Sequence, residues 1–182
     1  MRSRLRHYTN LGTMEARLKR LLGEARGSLQ RVDAVLVEAQ AIASNEPGIV
    51  GIHFEGPHIS VAKKGIHNAE LIRDISAAEW LVYRRQDLGV KVITVAPETV
   101  CGSVIKQLVD AGLIVCLGHT NAPYEQVNEA LAAGATGFTH LFNAMSALTS
   151  RTPGAVGAAL DNADAWCGAC RPKVTCSVGV VA

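Results

Sequence analysis

The run Leu113-Ile114-Val115-Cys116-Leu117-Gly118-His119 is a short apolar strand pattern that ends on a residue able to bind a metal. The same form recurs in Val50-Gly51-Ile52-His53-Phe54-Glu55 and in Thr136-Gly137-Phe138-Thr139-His140. Buried strands of a βα protein ordinarily stop on a small or turn-forming residue, so repeated endings on Glu or His need a cause. At the carboxyl edge of a parallel sheet or barrel, such residues converge on one mouth, where metals and substrates sit. Glu55, His119 and His140 together make a ligand set suited to a divalent transition metal with open positions. Taken singly, Glu55 reads as a solvated carboxylate and each histidine as a satisfied polar residue. Recurrence on the same edge is what favours a metal site.

Outward from these runs, helix and strand alternate. Met14 to about Ala43 is rich in Leu, Ala, Arg, Glu and Gln, with Leu18, Leu21, Leu22, Ala25 and Leu29 at helical spacing. Asn45-Glu46-Pro47-Gly48 breaks this helix before a strand over Ile49 to Glu55. Ser76 as N-cap, with Glu79 three residues later, predicts a helix from Ser76 to about Leu88, stopped by Gly89. Strand Val90 to Ala96, helix Val100 to Ala111, strand Leu113 to Leu117, helix Ala122 to Ala133 and strand Thr136 to Leu141 follow. The Gly/Ala-rich stretch beyond loop 146–154 is compatible with helix, and Val174 to Val181 with a final strand.

This order, with short linkers and strands apolar on both faces, means a parallel sheet covered by helices. Functional groups at successive strand ends favour an α/β fold of the (β/α) TIM type over a nucleotide-binding sheet, and neither GxGxxG nor GxxxxGK[ST] occurs. A closed barrel takes about 250 residues. The 182 residues are therefore expected to form one partial domain, an incomplete barrel.

Composition agrees. A hydrophobic share of 48% with only 4% aromatic residues suits an α/β chain and not a disordered or fibrous one. A net charge of +2, with no basic face interleaved with aromatics, argues against nucleic-acid binding. No apolar run is long enough to span a membrane and no secretory leader pattern is seen, so a cytoplasmic location is the expectation. Five scattered cysteines argue against a disulfide framework; Cys167 and Cys170 have CxxC spacing without a second pair.

Around the mouth, His53 shares a strand face with Glu55 and reads as a packed histidine or a hydrogen-bond support for it. His58 and His67 lie in the following loop, able to reach the mouth or to stay exposed. Asn143, three residues after His140, offers an amide to a polar substrate. Arg151 offers a fork of donors to a phosphate or carboxylate, or is a solvated loop charge.

The segments GIHFEGPHIS, KKGIHN, TVAPE, GHTNAPYEQ, GATGFTHLFNAMSAL and RTPGAVGAALDNADAWCG resemble the N-acetylglucosamine-6-phosphate deacetylase family of the amidohydrolase superfamily, in order and spacing, over roughly residues 45 to 168. The resemblance implies that Glu55, His119 and His140 are metal ligands and that the metal is zinc or another divalent ion. It also implies that Asn143, the backbone of Ala144 and the backbone of Ile66 contact the amino sugar, and that Arg151 binds the sugar phosphate across a homodimer interface. The reaction implied is hydrolysis of the acetamide of N-acetylglucosamine 6-phosphate to glucosamine 6-phosphate and acetate.

The chain departs from the family pattern in several places. The family's catalytic Asp on a late strand has no counterpart, Asp161 and Asp164 being misplaced for it, and no catalytic base is assigned. The first barrel strand with its HxH is also unmatched, His7 being no substitute, and residues 169–182 do not resemble the family. His58 stands where the family usually has Phe. Two further expectations are a non-catalytic fragment that needs a partner or the rest of the barrel, and an enzyme for a neighbouring sugar phosphate.

Overall fold

The computed structural model describes residues 39–45 and 50–168. They fall into two compact units, one comprising the chain up to Ile52 with Arg85–Val90, the other His53–Arg84 with the chain from Lys91 onward. In the first unit residues 39–43 are helical, the only described part of the helix expected over Met14 to Ala43. There Val90 donates its N–H to the Val50 carbonyl at 2.9 Å. A Cβ on Gly51 would lie 1.8 Å from the Val90 oxygen, so only glycine allows that approach.

The strands are β1 (Gly51–Glu55), β2 (Val90–Val95), β3 (Leu113–Leu117), β4 (Gly137–Phe138) and β5 (Trp166–Cys167), in sheet order β1-β2-β3-β4-β5. β2 and β3 pair in parallel with Ile93 opposite Val115, and β3–β4 and β4–β5 are likewise parallel. The helices are α1 (Ala77–Tyr83), α2 (Gly102–Asp110), α3 (Tyr124–Ala132) and α4 (Gly154–Asp161). Each α-helix beyond α1 returns the chain to the next parallel strand, as crossover connections require.

The alternation of strand side chains sorts the sheet into two faces. Ile93, Val95, Val115, Leu117 and Phe138 join one core with Ile105 and Leu108 of α2, Val127 and Ala130 of α3, and Ala155 and Ala158 of α4; Phe54 packs against it. The intervening residues include Val92 and the exposed Ile114, but toward the carboxyl ends of the strands they are polar or small. His53 Nε2 lies 2.7 Å from Thr94 Oγ1, which lies 2.7 Å from Thr139 Oγ1. Burial holds the Cys116 thiol up at about 12, opposed by a hydrogen bond with Thr139. Near those ends the second face is thus a band of hydrogen-bonded groups.

Several expectations are corrected. The helix begins at Ser76 as expected, with a complete capping box to Glu79, but ends at Tyr83 rather than Leu88. In a continuing helix the Tyr83 carbonyl would accept from a residue four positions on. Here it accepts from the buried Lys91 Nζ at 2.7 Å, and that amine also reaches the Ala111 carbonyl at 3.1 Å. One cation serves the C-terminal ends of α1 and α2. β4 is two residues long instead of six, because the chain turns at His140. β5 and the 3-10 turns Val61–Lys63 and Ala69–Leu71 have no counterpart among the expected elements. β1 is only partly buried, not apolar on both sides.

His53 is exposed and hydrogen-bonded rather than packed. His58, expected in an open loop, is fully buried, with its ring nitrogens 2.8 Å from the Arg73 carbonyl and 2.9 Å from the Tyr83 hydroxyl. Cys101, Cys116 and Cys167 are free thiols, whereas His7, Cys170, Cys176 and the strand expected over Val174 to Val181 lie outside the described residues. No helix among the described residues is long and apolar enough to cross a membrane.

Candidate metal centre

Glu55 closes β1, His119 follows β3 by two residues and His140 follows β4 by two. In extended backbone His119 would share the face of Leu117, and His140 that of Phe138, both against the helices. Both residues instead adopt left-handed backbone, with φ of 47° and 40°. Non-glycine residues occupy this region at a cost and persist there when their surroundings over-determine them. This turn at each strand end is what brings both rings round to Glu55.

His119 Nε2 lies 3.0 Å from Glu55 Oε1, His140 Nε2 lies 3.1 Å from the same oxygen, and the two Nε2 atoms are 3.0 Å apart. Among the described residues this is the one group of three or more His, Cys, Asp or Glu donors close enough to share a cation. The donor chemistry fits one. His119 Nδ1 donates to the Lys63 carbonyl at 2.8 Å, so in the neutral ring Nε2 carries a lone pair. With Glu55 Oε1 also an acceptor, only His140 can place a proton in the triangle. Three converging lone-pair atoms with at most one proton between neutral rings is an arrangement that a cation satisfies. The His140 Nδ1 atom is buried and without a hydrogen-bond partner among the described residues.

The loop after β1 closes over His119. Ser60 donates its N–H to the His119 carbonyl at 2.9 Å, and the His67 ring meets the His119 ring edge-on at 4.8 Å. Gly65, at φ 57°, passes so close that a Cβ would lie 3.3 Å from His119 Cε1. His67 therefore does reach the mouth. On the strand below, a Cβ on Gly118 would stand 2.9 Å from Thr94 Cγ2, so the polar band supports the turn into His119 from beneath.

Of the other sequence-derived candidates, Asn143 and Ala144 lie in the turn that follows His140. Asn143 donates its N–H to the His140 carbonyl at 2.9 Å, and Ala144 is left-handed at φ 52°. Ile66 is fully exposed in the loop that covers His119. Arg151 is exposed, and among the described residues no hydrogen bond or ion pair joins it to the three donors. A groove of about 420 Å³ lined by Trp80, Glu98, Cys101 and Glu129 contains none of the three. Reading strand ends for metal ligands passes over Glu98, although TVAPE is a strand end of the same kind; its carboxylate holds the loop beyond His119.

The charge balance of the metal-free cluster sets its response to pH. Glu55 is held well below the usual carboxylate range, first by hydrogen bonds with His119 and then with His140, against the opposing effect of burial. His140 is raised: burial opposes this, but the hydrogen bond and charge of Glu55 prevail. A depressed carboxyl contributes stability that is present above its ordinary value near 4.5 and lost as pH falls through the folded value. The raised histidine contributes stability present below 6.5 and lost as pH rises through its folded value. The metal-free chain is expected to lose stability progressively below about pH 4.5, and Glu55→Gln to flatten that limb. Urea midpoints between neutral pH and about pH 3 check this; parallel acid limbs in both proteins would refute it.

A scan against protein-family models finds no match. N-acetylgalactosamine-6-phosphate deacetylase of Shewanella sp. (strain ANA-3) is 58% identical over 130 residues, covering 71% of this chain and 33% of the relative. N-acetylglucosamine-6-phosphate deacetylase of Haemophilus influenzae is 39% identical over 131 residues, 71% of this chain and 34% of the relative. Among solved structures, the Pasteurella multocida N-acetylglucosamine-6-phosphate deacetylase superposes with a TM-score of 0.73 at 38% identity, over 80% of this chain and 38% of that one. A Mycobacterium smegmatis enzyme of the same name, in complex with N-acetyl-D-glucosamine-6-phosphate, gives 0.68 at 34% identity, over 79% of this chain and 38% of its own. The parallel α/β sheet and these neighbours fit a partial TIM-type fold. In motif, sequence and fold the chain is a relative of the N-acetylglucosamine- and N-acetylgalactosamine-6-phosphate deacetylases, spanning about a third of their length.

Proposed function

We propose that this chain acts in the hydrolysis of the acetamide of an N-acetylhexosamine 6-phosphate, N-acetylglucosamine 6-phosphate in the first instance, releasing acetate and the amino-sugar phosphate. The convergence of Glu55, His119 and His140 at one sheet edge carries this reading. These three hold a divalent cation, zinc by preference, since two imidazoles and a carboxylate suit it. Such an ion, when bound, supplies the Lewis acidity that polarises an amide carbonyl and acidifies a water.

The protein's own groups do the rest of what can be assigned. Lys63 fixes the His119 tautomer through its carbonyl, and the loop carrying Gly65 and His67 screens that ring on one side. Asn143 and the backbone of Ala144 and Ile66 are proposed to orient the amino sugar, and Arg151 its phosphate, in a homodimer where the exposed guanidinium serves the second copy. Tyr124 engages Asp161 away from the three donors, and no described carboxylate besides Glu55 belongs to the cluster, so none is assigned the proton-transfer role. Residues 45–168 are proposed as the family-like part of a single partial (β/α)-barrel domain, in a cytoplasmic protein.

Two observations bear on the finer reading. The 58% identity to a galactosamine-type enzyme favours the C4 epimer as an additional or preferred substrate. The coverage of only a third of that relative's length supports a second reading, a cation-binding fragment that turns over only with the missing part supplied. Acetate release from both sugar phosphates by the zinc-loaded chain tests these proposals. Turnover of either substrate by the chain alone is the expected result of the first reading. Zinc binding without acetate from either sugar phosphate overturns it in favour of the second.

A further inference from the structure

Glu98 stands in the loop after β2, exposed, in the segment Ala96-Pro97-Glu98-Thr99. Its two carboxylate oxygens are both used. Oε2 accepts from the hydroxyl of Thr120 and Oε1 from the backbone N–H of Asn121. Those are the two residues that follow His119. No described contact joins Glu98 to Glu55, His119 or His140.

Thr120 is fully buried and every group it offers is taken. Its hydroxyl donates to Glu98 and accepts from the Ala122 N–H at 3.0 Å. Its backbone N–H donates to the Ala144 carbonyl at 3.0 Å, and its carbonyl accepts from the Ser146 N–H at 2.9 Å. Thr120 thus pairs, strand-like, with the segment Ala144–Ser146, whose central Met145 lies opposite it. That segment is the continuation of the turn from His140. Ser146 in turn is tied to the first residues of α4, accepting through its hydroxyl from the Ala155 N–H at 2.7 Å.

The two histidine-bearing turns therefore meet at Thr120, and a carboxylate from a third strand end fixes Thr120 in place. His119 and His140 both sit in left-handed backbone, a conformation that persists only where neighbours hold it. Hydrogen bonds to an ionised carboxylate are stronger than neutral ones, and Glu98 places two of them immediately beyond the His119 turn. We infer that Glu98 is a positioning residue for the cation site: through Thr120 and Asn121 it sets the backbone that aims His119, and through the Thr120–Ala144 pairing the one that aims His140. This rests on the reading of Glu55, His119 and His140 as cation ligands.

The test uses the full chain and zinc alone, with the dissociation constant from chelator competition and the melting temperature of the metal-free protein. Glu98→Ala is expected to weaken zinc binding by about 10–100-fold, the range for partners that orient a ligand without touching the metal. Glu98→Gln keeps one acceptor oxygen and presents an NH2 where the second was, so its affinity is expected between the two. His119→Ala serves as the reference for losing a ligand. If His119→Ala binds zinc poorly while folded Glu98→Ala and Glu98→Gln bind it as the parent does, the positioning role is overturned. A lowered metal-free melting temperature with unchanged zinc affinity overturns it equally, because it marks a merely structural residue. Should Glu98→Ala not fold, Glu98→Gln decides, and failure of both to fold assigns Glu98 to the fold and overturns the inference. If His119→Ala itself retains the parent affinity, the ligand reading is what fails.

Discussion

His119→Ala and His140→Ala are each expected to lower zinc affinity by more than about 100-fold, beyond the range seen when only an orienting partner is removed. Three donors supply the cluster, their atoms 3.0 to 3.1 Å apart, and no fourth His, Cys, Asp or Glu among the described residues stands close enough to substitute. Each deletion leaves a two-donor site. Each imidazole is also a hydrogen-bond partner of Glu55 in the metal-free protein, so the fold of each variant is measured beside its affinity. Equilibrium dialysis against zinc, with circular dichroism on the same samples, separates the two effects. Parent-like zinc content in either folded variant would show that the ligands are misassigned.

Phe138→Ala is expected to destabilise the chain by about 3–5 kcal/mol, the usual cost of removing a buried aromatic ring and leaving a cavity. Phe138 is fully buried in β4, where it joins the helix-side core, and β4 links β3 to β5. Phe142 provides the contrast within four residues. It is exposed, in the turn beyond His140, and Phe142→Ala is expected to change stability by no more than about 0.5 kcal/mol. Urea unfolding of the two variants reads the difference directly. Similar midpoints for both would mean that Phe138 does not anchor the core.

The two phenylalanines also show what the sequence can convey. Phe138 lies in the short strand run expected over Thr136 to Leu141, between a glycine-stopped helix and a metal-binding end, and that setting places it in the sheet without any structure. Phe142 lies outside such a run, and its exposure follows from a turn that no local pattern announces. The same limit applies to the helix ending at Tyr83. Ser76 and Glu79 mark its start because the capping box is local chemistry. Its end depends on Lys91, eight residues away in sequence and on a different element, whose amine takes the Tyr83 carbonyl. The burial of His58 is hidden for a like reason: in a polar loop it looks exposed, and it is buried because Tyr83 and the Arg73 carbonyl receive both its nitrogens. Glu98 is legible as a strand-end carboxylate, but its partners are the residues beyond another strand, and only the packed sheet shows them.

The sequence by itself determined the alternation of helix and strand, the parallel sheet and the three residues that end its strands on metal-binding groups. Periodicity, caps and glycine stops depend on neighbours within a turn or two, so they are written locally. The tertiary structure decided that those three residues meet. Strict alternation would have turned His119 and His140 toward the helices. Left-handed backbone at each, held by hydrogen bonds from distant loops, brings them instead to Glu55. Such a conformation is unfavourable in an isolated segment and exists because long-range contacts select it, which is why no stretch of sequence, read alone, could state it.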